Sequence, residues 1–189
     1  MSPECDLVFQ TERLLVRTAT VEDVDLFLAL WTNPQVMSNV GFPQGLRITK
    51  SEIKEKLATP AGSEFERPLV VELKTTGQPI GVCNLSDPDE EGVADPDIKL
   101  LPGFWGHKYG VEVWRELVAY QFVRADCTAV RATPNVHNTA SIKMQEATGG
   151  VRVGEAVYQF PKSMQDYTTP VHHYVYRLSR ADWERGQNR

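Results

Sequence analysis

Cysteine is scarce in this chain: 189 residues hold three, Cys5, Cys83 and Cys127, widely spaced and odd in number. They frame no disulfide scaffold and match no metal-site spacing. Reduced thiols in a cytoplasm-like compartment are the simplest reading, with Cys83 and Cys127 as small core residues on strands. Histidine is scarce as well, and His172 and His173 are adjacent on an expected strand. Such neighbours point to opposite faces and form no joint metal site, so no metal is expected. No apolar run approaches membrane-spanning length, and residues 1–10 lack the basic-then-apolar pattern of a secretory signal. Positive charge is not in excess either: 20 Lys and Arg stand against 25 Asp and Glu, a net charge of -5. That argues against general nucleic-acid binding and is compatible with a cationic amine partner.

What is present reads as an ordinary globular chain, 41% hydrophobic and 24% charged. Its length suits one well-buried core, so a single domain over residues 1–189 is expected, with its core at about 11–178. A strand is expected over residues 7–17, then a helix over 21–31 stopped by Asn33-Pro34. Residues 36–43 fit neither pattern cleanly, and a short polar helix follows over 49–58 with Thr49 or Ser51 as its cap. Residues 69–74 and 80–85 make a hairpin around Thr76-Gly77-Gln78-Pro79. Further strands are expected at 97–101, 128–132, 151–160 and 172–178, with helices at 109–124 and 138–148. Gly149-Gly150 supplies a left-handed stop for the second of these helices.

Two segments carry chemistry. In Leu100-Leu101-Pro102-Gly103-Phe104-Trp105-Gly106-His107-Lys108-Tyr109-Gly110-Val111-Glu112 a strand runs through a glycine-containing loop into a helix. Such a junction aims unpaired N–H groups and the positive end of a helix dipole at one point, which suits a phosphate or pyrophosphate. Gly106 and Gly110 permit close approach to the main chain. The second segment, Asn135 through Gly150, opens a helix with Asn138-Thr139-Ala140-Ser141. In this order, Leu-x-Pro-x-x-Trp-Gly-x-x-Tyr-Gly-x-Glu followed by Asn-x-Ala-Ser-x-x-x-x-Glu-x-x-Gly resembles the GCN5-related N-acetyltransferase (GNAT) family. The closer likeness is to the branch holding the ribosomal-protein N-terminal acetyltransferases. Thr11-Glu12-Arg13-Leu14-Leu15-Val16-Arg17 resembles that branch's first strand and Pro79-Ile80-Gly81 its third.

The resemblance implies an α/β fold with a mixed, mostly antiparallel central sheet flanked by helices. In it two strands, here about 97–101 and 128–132, splay apart to admit the pantetheine arm of acetyl-CoA. Main-chain groups at Ile98, Leu100 and Leu101 would meet that arm. Trp105, Gly106, His107, Lys108, Tyr109 and Gly110 would hold the pyrophosphate. Asn138 would bind the arm and Ser141 would return a proton to the leaving thiolate. The residues alone leave a plainer alternative for Asn138, that of a helix N-cap. Lys108 stands where the family usually has glycine. It adds a cation beside the pyrophosphate, points to solvent, or crowds the loop, and the sequence does not choose among these. The family likeness also carries a mild expectation of a homodimer.

The implied reaction is attack of a neutral amine on the acetyl thioester. A lysine-like amine has a pKa of about 10.4, so freeing it at neutral pH costs roughly 4–5 kcal/mol, whereas an α-amine near 8 is easier. A positioned carboxylate or water chain is the usual remedy. Asp97 is the first candidate base, Asp95 the second and Glu112 a weaker third. Cys127 has no histidine at a recognisable spacing, so a covalent route through it is not expected. The reading is a cytoplasmic, acetyl-CoA-dependent N-acetyltransferase acting on a protein N-terminus or a small-molecule amine. The alternative is a non-catalytic acyl-CoA-binding or sensing module on the same scaffold.

Overall fold

The computed structural model describes residues 6–187, so Cys5 lies outside the described residues. Among the described residues, nine strands form two sheets. The first has the order β1-β2-β3-β4-β6, built from β1 (Leu7–Gln10), β2 (Leu14–Thr18), β3 (Pro68–Leu73), β4 (Pro79–Asn84) and β6 (Asp97–Leu100). All its neighbours are antiparallel. The second has the order β5-β7-β9-β8, from β5 (Val93–Ala94), β7 (Ala129–Ala132), β8 (Val151–Tyr158) and β9 (Val171–Ser179). Only β5 and β7 run parallel. The helices are α1 (Val24–Trp31), α2 (Pro34–Met37), α3 (Lys50–Ala58), α4 (Tyr109–Arg124), α5 (Thr139–Ala147) and α6 (Arg180–Gln187). This is the mixed, mostly antiparallel α/β arrangement expected from the sequence.

The first sheet separates two apolar layers, because successive residues of a strand face opposite ways. On β3, Leu69 and Val71 join the core that contains Val113, Trp114, Leu117 and Val118 of α4. Val70 joins Val24, Phe27 and Leu30 of α1 and Ile53 of α3 on the other side. Each of these three β3 side chains is at most 1% exposed, a burial that contributes about 1.5–3 kcal/mol apiece. Gly81 on β4 is required by close approach: a Cβ there would stand 2.4 Å from the Lys99 carbonyl oxygen on β6.

Several boundaries differ from the sequence expectation, each for a local reason. The strand expected over residues 7–17 is a hairpin. The Thr11 amide donates to the Leu14 carbonyl at 2.9 Å, and the Leu14 amide returns a bond to the Thr11 hydroxyl. Asn33-Pro34 both ends α1 and starts α2, because the Asn33 side chain caps the Gln35 amide and proline suits a first helical position. Thr49 caps α3 in a reciprocal box with Glu52. Cys83 is a buried strand residue, whereas Cys127 is buried in the turn before β7. The terminal α6 was not expected; its signal was present in Ser179-Arg180-Ala181-Asp182, where the Ser179 hydroxyl accepts the Asp182 amide.

Candidate functional site

The site begins with a strand that changes partners. Val93 and Ala94 pair in parallel with Ala129 and Val130, but from Asp97 to Leu100 the chain pairs instead with Asn84 to Gly81 of β4. Buried Pro96, which has no N–H to give a ladder, lies at the switch. Beyond it β6 and β7 part, leaving one edge of β6 without a neighbouring strand among the described residues. The Leu101 amide donates to the Ile80 carbonyl at 2.9 Å. By the antiparallel alternation, Lys99 and Asp97 then also turn their main chain to β4, while Ile98 and Leu100 present theirs to the gap. The Leu100 carbonyl receives the Trp105 indole at 2.8 Å. Leu101, expected at the gap, instead packs its side chain against the α1–α3 core.

At the mouth of the gap stands the N-terminus of α4. Its N-cap, Lys108, has φ 64 and makes no side-chain capping bond. The first helical bond runs from the Glu112 amide to the Lys108 carbonyl at 3.2 Å. The amides of Tyr109, Gly110 and Val111 lie ahead of that bond and are donors without helical acceptors. They sit at the positive end of a 16-residue dipole. Lys108 is the one non-glycine residue with positive φ among the described residues, and Gly106 shares that geometry at φ 82. For a residue with a Cβ this conformation costs about 1–2 kcal/mol.

A clasp holds that strained turn. The Glu112 carboxylate accepts the Thr11 hydroxyl at 2.5 Å, the Arg13 amide at 2.9 Å and Arg13 Nε at 2.7 Å. The same guanidinium donates to the His107 carbonyl at 3.1 Å and lies 4.5 Å above the Tyr109 ring, on which His107 also stacks. Burial pushes the Glu112 pKa up, but the bonds from Thr11 and Arg13 outweigh it and hold the carboxyl below its ordinary value. A carboxylate so engaged is a fastener and a poor base. The motif Thr11-Glu12-Arg13 carried the signal for this clasp, although the sequence alone did not reveal what those residues hold.

On the other side of the gap, Asn138 is the N-cap of α5, its side-chain oxygen accepting the Ser141 amide at 3.1 Å. That bond uses the main chain of Ser141 and leaves its hydroxyl at the first turn. The two helices are brought together where Gly110, Met144 and Leu100 meet, with Met144 Sδ 3.5 Å from the place a Gly110 Cβ would occupy.

The carboxylates take distinct places. Asp95 is bound by Arg131 of β7, with Nε donating to one oxygen at 2.7 Å and Nη2 to the other at 2.5 Å. It thereby pins β7 beside the point where the strands part. Asp97 pairs with Lys99 two residues along β6. Cys127 is buried, its thiol directed at the Gln121 carbonyl, and burial raises its pKa despite Arg180 nearby. Burial raises that of Cys83 further. The tyrosines on and before β9 take separate places: Tyr176 is buried and bonded to Glu146, and Tyr174 lies under Arg152. Tyr167 packs near Phe42 and under Arg47. His137 is exposed beside the N-terminus of α5.

The loop between β8 and β9 closes on the segment after α2. The Thr169 amide donates to the Gly41 carbonyl at 2.8 Å, and Phe160 meets Phe42 edge to face. Asn135, just past β7, donates to the Asn39 carbonyl at 3.3 Å. These bonds build a wall on the α1–α2 side of the sheet.

Comparison with known proteins agrees with this architecture. The chain is 25% identical over 136 residues to an uncharacterized N-acetyltransferase, p20, of Bacillus licheniformis, covering 71% of this chain and 76% of that protein. The fold is similar to spermidine N-acetyltransferase from Vibrio cholerae, solved with CoA and spermine, at a TM-score of 0.74, 20% identity and coverage of 90% of this chain and 98% of that one. An acetyltransferase of the GNAT family from Bacillus anthracis gives 0.72 at 19% identity, covering 90% and 96%. An aminoglycoside acetyltransferase in complex with coenzyme A gives 0.70 at 19%, covering 92% and 99%. The sequence model of the acetyltransferase (GNAT) domain matches residues 13–151, and the chain belongs to that family.

Proposed function

We propose that this acetyltransferase, acting as a single domain, moves the acetyl group of acetyl-CoA directly onto a primary amine. The observation that carries the reading is the open edge of β6 facing a helix N-terminus with three uncapped amides. The Ile98 and Leu100 main chain receives the pantetheine arm. The turn from Trp105 through Gly106, His107, Lys108, Tyr109 and Gly110 holds the pyrophosphate. Asn138 keeps the start of α5 against the arm.

The neutral amine nitrogen attacks the thioester carbonyl carbon and the carbon–sulfur bond breaks, the proton shed by the acylated nitrogen replacing the one given to the thiolate; the attack requires that the resting ammonium first lose a proton. Asp97, on the strand that borders the gap, takes that proton directly or through water. Asp95 has both oxygens engaged by Arg131, which favours a positioning role for it. Ser141, at the positive end of α5, supplies a proton to the departing thiolate. The buried thiols of Cys83 and Cys127 favour direct transfer over a covalent cysteine intermediate.

The acceptor is a cationic amine in its resting form. The chain's net charge of -5 is compatible with that class. Polyamines, aminoglycosides and protein N-termini, ribosomal ones included, are the members to try, in a cytoplasm-like setting. Calorimetric titration with acetyl-CoA, followed by thiol release across that amine panel, tests the reading. Binding with acceptor-dependent CoA release supports it. Binding without release from any amine favours the second reading, an acyl-CoA sensor, which the strained Lys108 and the paired carboxylates motivate. Absence of binding sinks both.

A further inference from the structure

The edge of β6 that faces the gap is short, and its hydrogen-bonding groups can be counted. Asp97, Lys99 and Leu101 turn their main chain to β4, so Ile98 and Leu100 supply what the gap sees. From the closed end outward these are the Ile98 amide, the Ile98 carbonyl, the Leu100 amide and the Leu100 carbonyl. The next residue in phase is Pro102, which has no N–H, and its carbonyl already accepts the Trp105 amide at 3.2 Å. The edge therefore carries two donor–acceptor pairs, a deep one on Ile98 and one on Leu100 at the mouth.

The two pairs are not equivalent. The Leu100 carbonyl accepts the Trp105 indole at 2.8 Å, a donor seated on the gap side of that oxygen. The deep pair lies one two-residue strand repeat, about 7 Å, further in. Trp105 joins neither apolar core and is 46% exposed, although an indole gains much from burial. What fixes its ring is the bond to this one carbonyl.

An acyl-CoA arm lying along the edge engages one such pair at its reacting end. The arm's amide N–H nearest the sulfur donates to a carbonyl, and the thioester carbonyl accepts the amide of the same residue. On the deep pair the acyl group runs toward the closed end of the gap, where β5 still pairs with β7. On the outer pair the whole arm sits about 7 Å further out, which leaves room for several more carbon atoms.

We propose that the Trp105 indole, by holding the Leu100 carbonyl, confines the arm to the Ile98 pair and so restricts the protein to short acyl groups. Trp105 is then a positioning residue that sets acyl-chain specificity. The inference rests on the acetyl-transfer reading above and adds to it what selects the acyl donor.

Calorimetric titration with acetyl-CoA and with hexanoyl-CoA tests it and needs no acceptor amine. The wild-type chain is expected to bind acetyl-CoA about tenfold more tightly, because the longer chain has to displace the indole bond to move outward. Trp105→Ala is expected to erase that preference, chiefly by strengthening the binding of hexanoyl-CoA. Trp105→His returns a ring N–H at the same reach, Nε2 in place of Nε1, and is expected to restore the preference. Circular dichroism checks that both variants are folded. A wild-type chain that binds both donors alike overturns the proposal. So does a Trp105→Ala variant that keeps the preference or weakens both ligands equally, since the indole would then only brace the turn. A Trp105→His variant that restores nothing overturns it as well. Failure of the wild-type chain to bind acetyl-CoA sinks the acetyl-transfer reading and this inference with it, whereas binding with an unaltered preference in Trp105→Ala sinks this inference alone.

Discussion

Lys108 shows how one residue serves two demands that conflict. The turn into α4 requires a left-handed backbone, and a residue with a Cβ adopts it only at a cost of about 1–2 kcal/mol. Replacing Lys108 by glycine removes that cost without touching a capping bond, since the side chain makes none. Thermal denaturation of Lys108→Gly is therefore expected to show a gain of about 1 kcal/mol. Its acetyl-CoA affinity, measured calorimetrically, is expected to fall several-fold and to lose part of its salt dependence, because a cation at the pyrophosphate is gone. Affinity that rises instead would mean that the side chain crowds the turn. The clasp is the counterpart. Glu112→Gln keeps the shape but removes the charge that joins Thr11 and Arg13. The loop then loses its tether through the His107 carbonyl. A KM for acetyl-CoA raised about tenfold with kcat nearly unchanged is the expected result, the pattern of lost uniform binding. A fall in kcat at constant KM would place Glu112 in the chemistry instead.

At the scale of elements, α5 separates structure from chemistry within four residues. Asn138 caps the helix through the Ser141 amide, so Asn138→Ala is expected to cost about 1 kcal/mol of stability. Ser141→Ala leaves that bond intact, because the bond uses the main chain. Melting temperatures should therefore drop for the first variant and hold for the second. In steady-state assays, Ser141→Ala is expected to lower kcat by about 100-fold if its hydroxyl delivers the proton. Unchanged kcat would remove Ser141 from the reaction. The sequence made these elements legible because local rules fixed them: the apolar face of α4, the caps Thr49 and Asn138, and the Pro-Gly end of β6. It did not reveal the partner exchange at Pro96, because strand pairing depends on which distant strand arrives, and two residues of β5 leave no periodic trace. Nor did it reveal that Arg131 claims Asp95 or that Glu112 belongs to Arg13. Those contacts join residues 36 and 99 positions apart.

The whole molecule depends on fastening the α1–α3 layer to the sheet, and Arg17 does this at one charged point. Its guanidinium donates to Glu72 of β3 at 2.7 Å and to both oxygens of Asp23 at 2.8 Å, where α1 begins. Asp23 also accepts the Thr20 amide at 2.8 Å. Burial pushes the Asp23 pKa up, yet the Arg17 and Thr20 bonds prevail and hold it below the ordinary carboxylate value, while Arg17 is raised above its own. The stabilisation is therefore complete above the unfolded carboxylate pKa of about 4 and is lost as pH falls through the lower folded value. Glu112 adds a second contribution of the same sign at the other layer. Urea midpoints are expected to be steady near neutrality and to fall progressively below about pH 4. Asp23→Asn leaves a largely buried guanidinium with one carboxylate in place of two and is expected to cost at least about 2 kcal/mol at pH 7, somewhat less than full removal of a buried partner. Because the variant has no carboxyl at position 23 to protonate, its acid slope should be shallower and the gap to wild type should close as the pH drops. A gap that stays constant down to the acid transition would show that Asp23 acts through packing and capping alone, and that its charge contributes nothing to holding the two layers together.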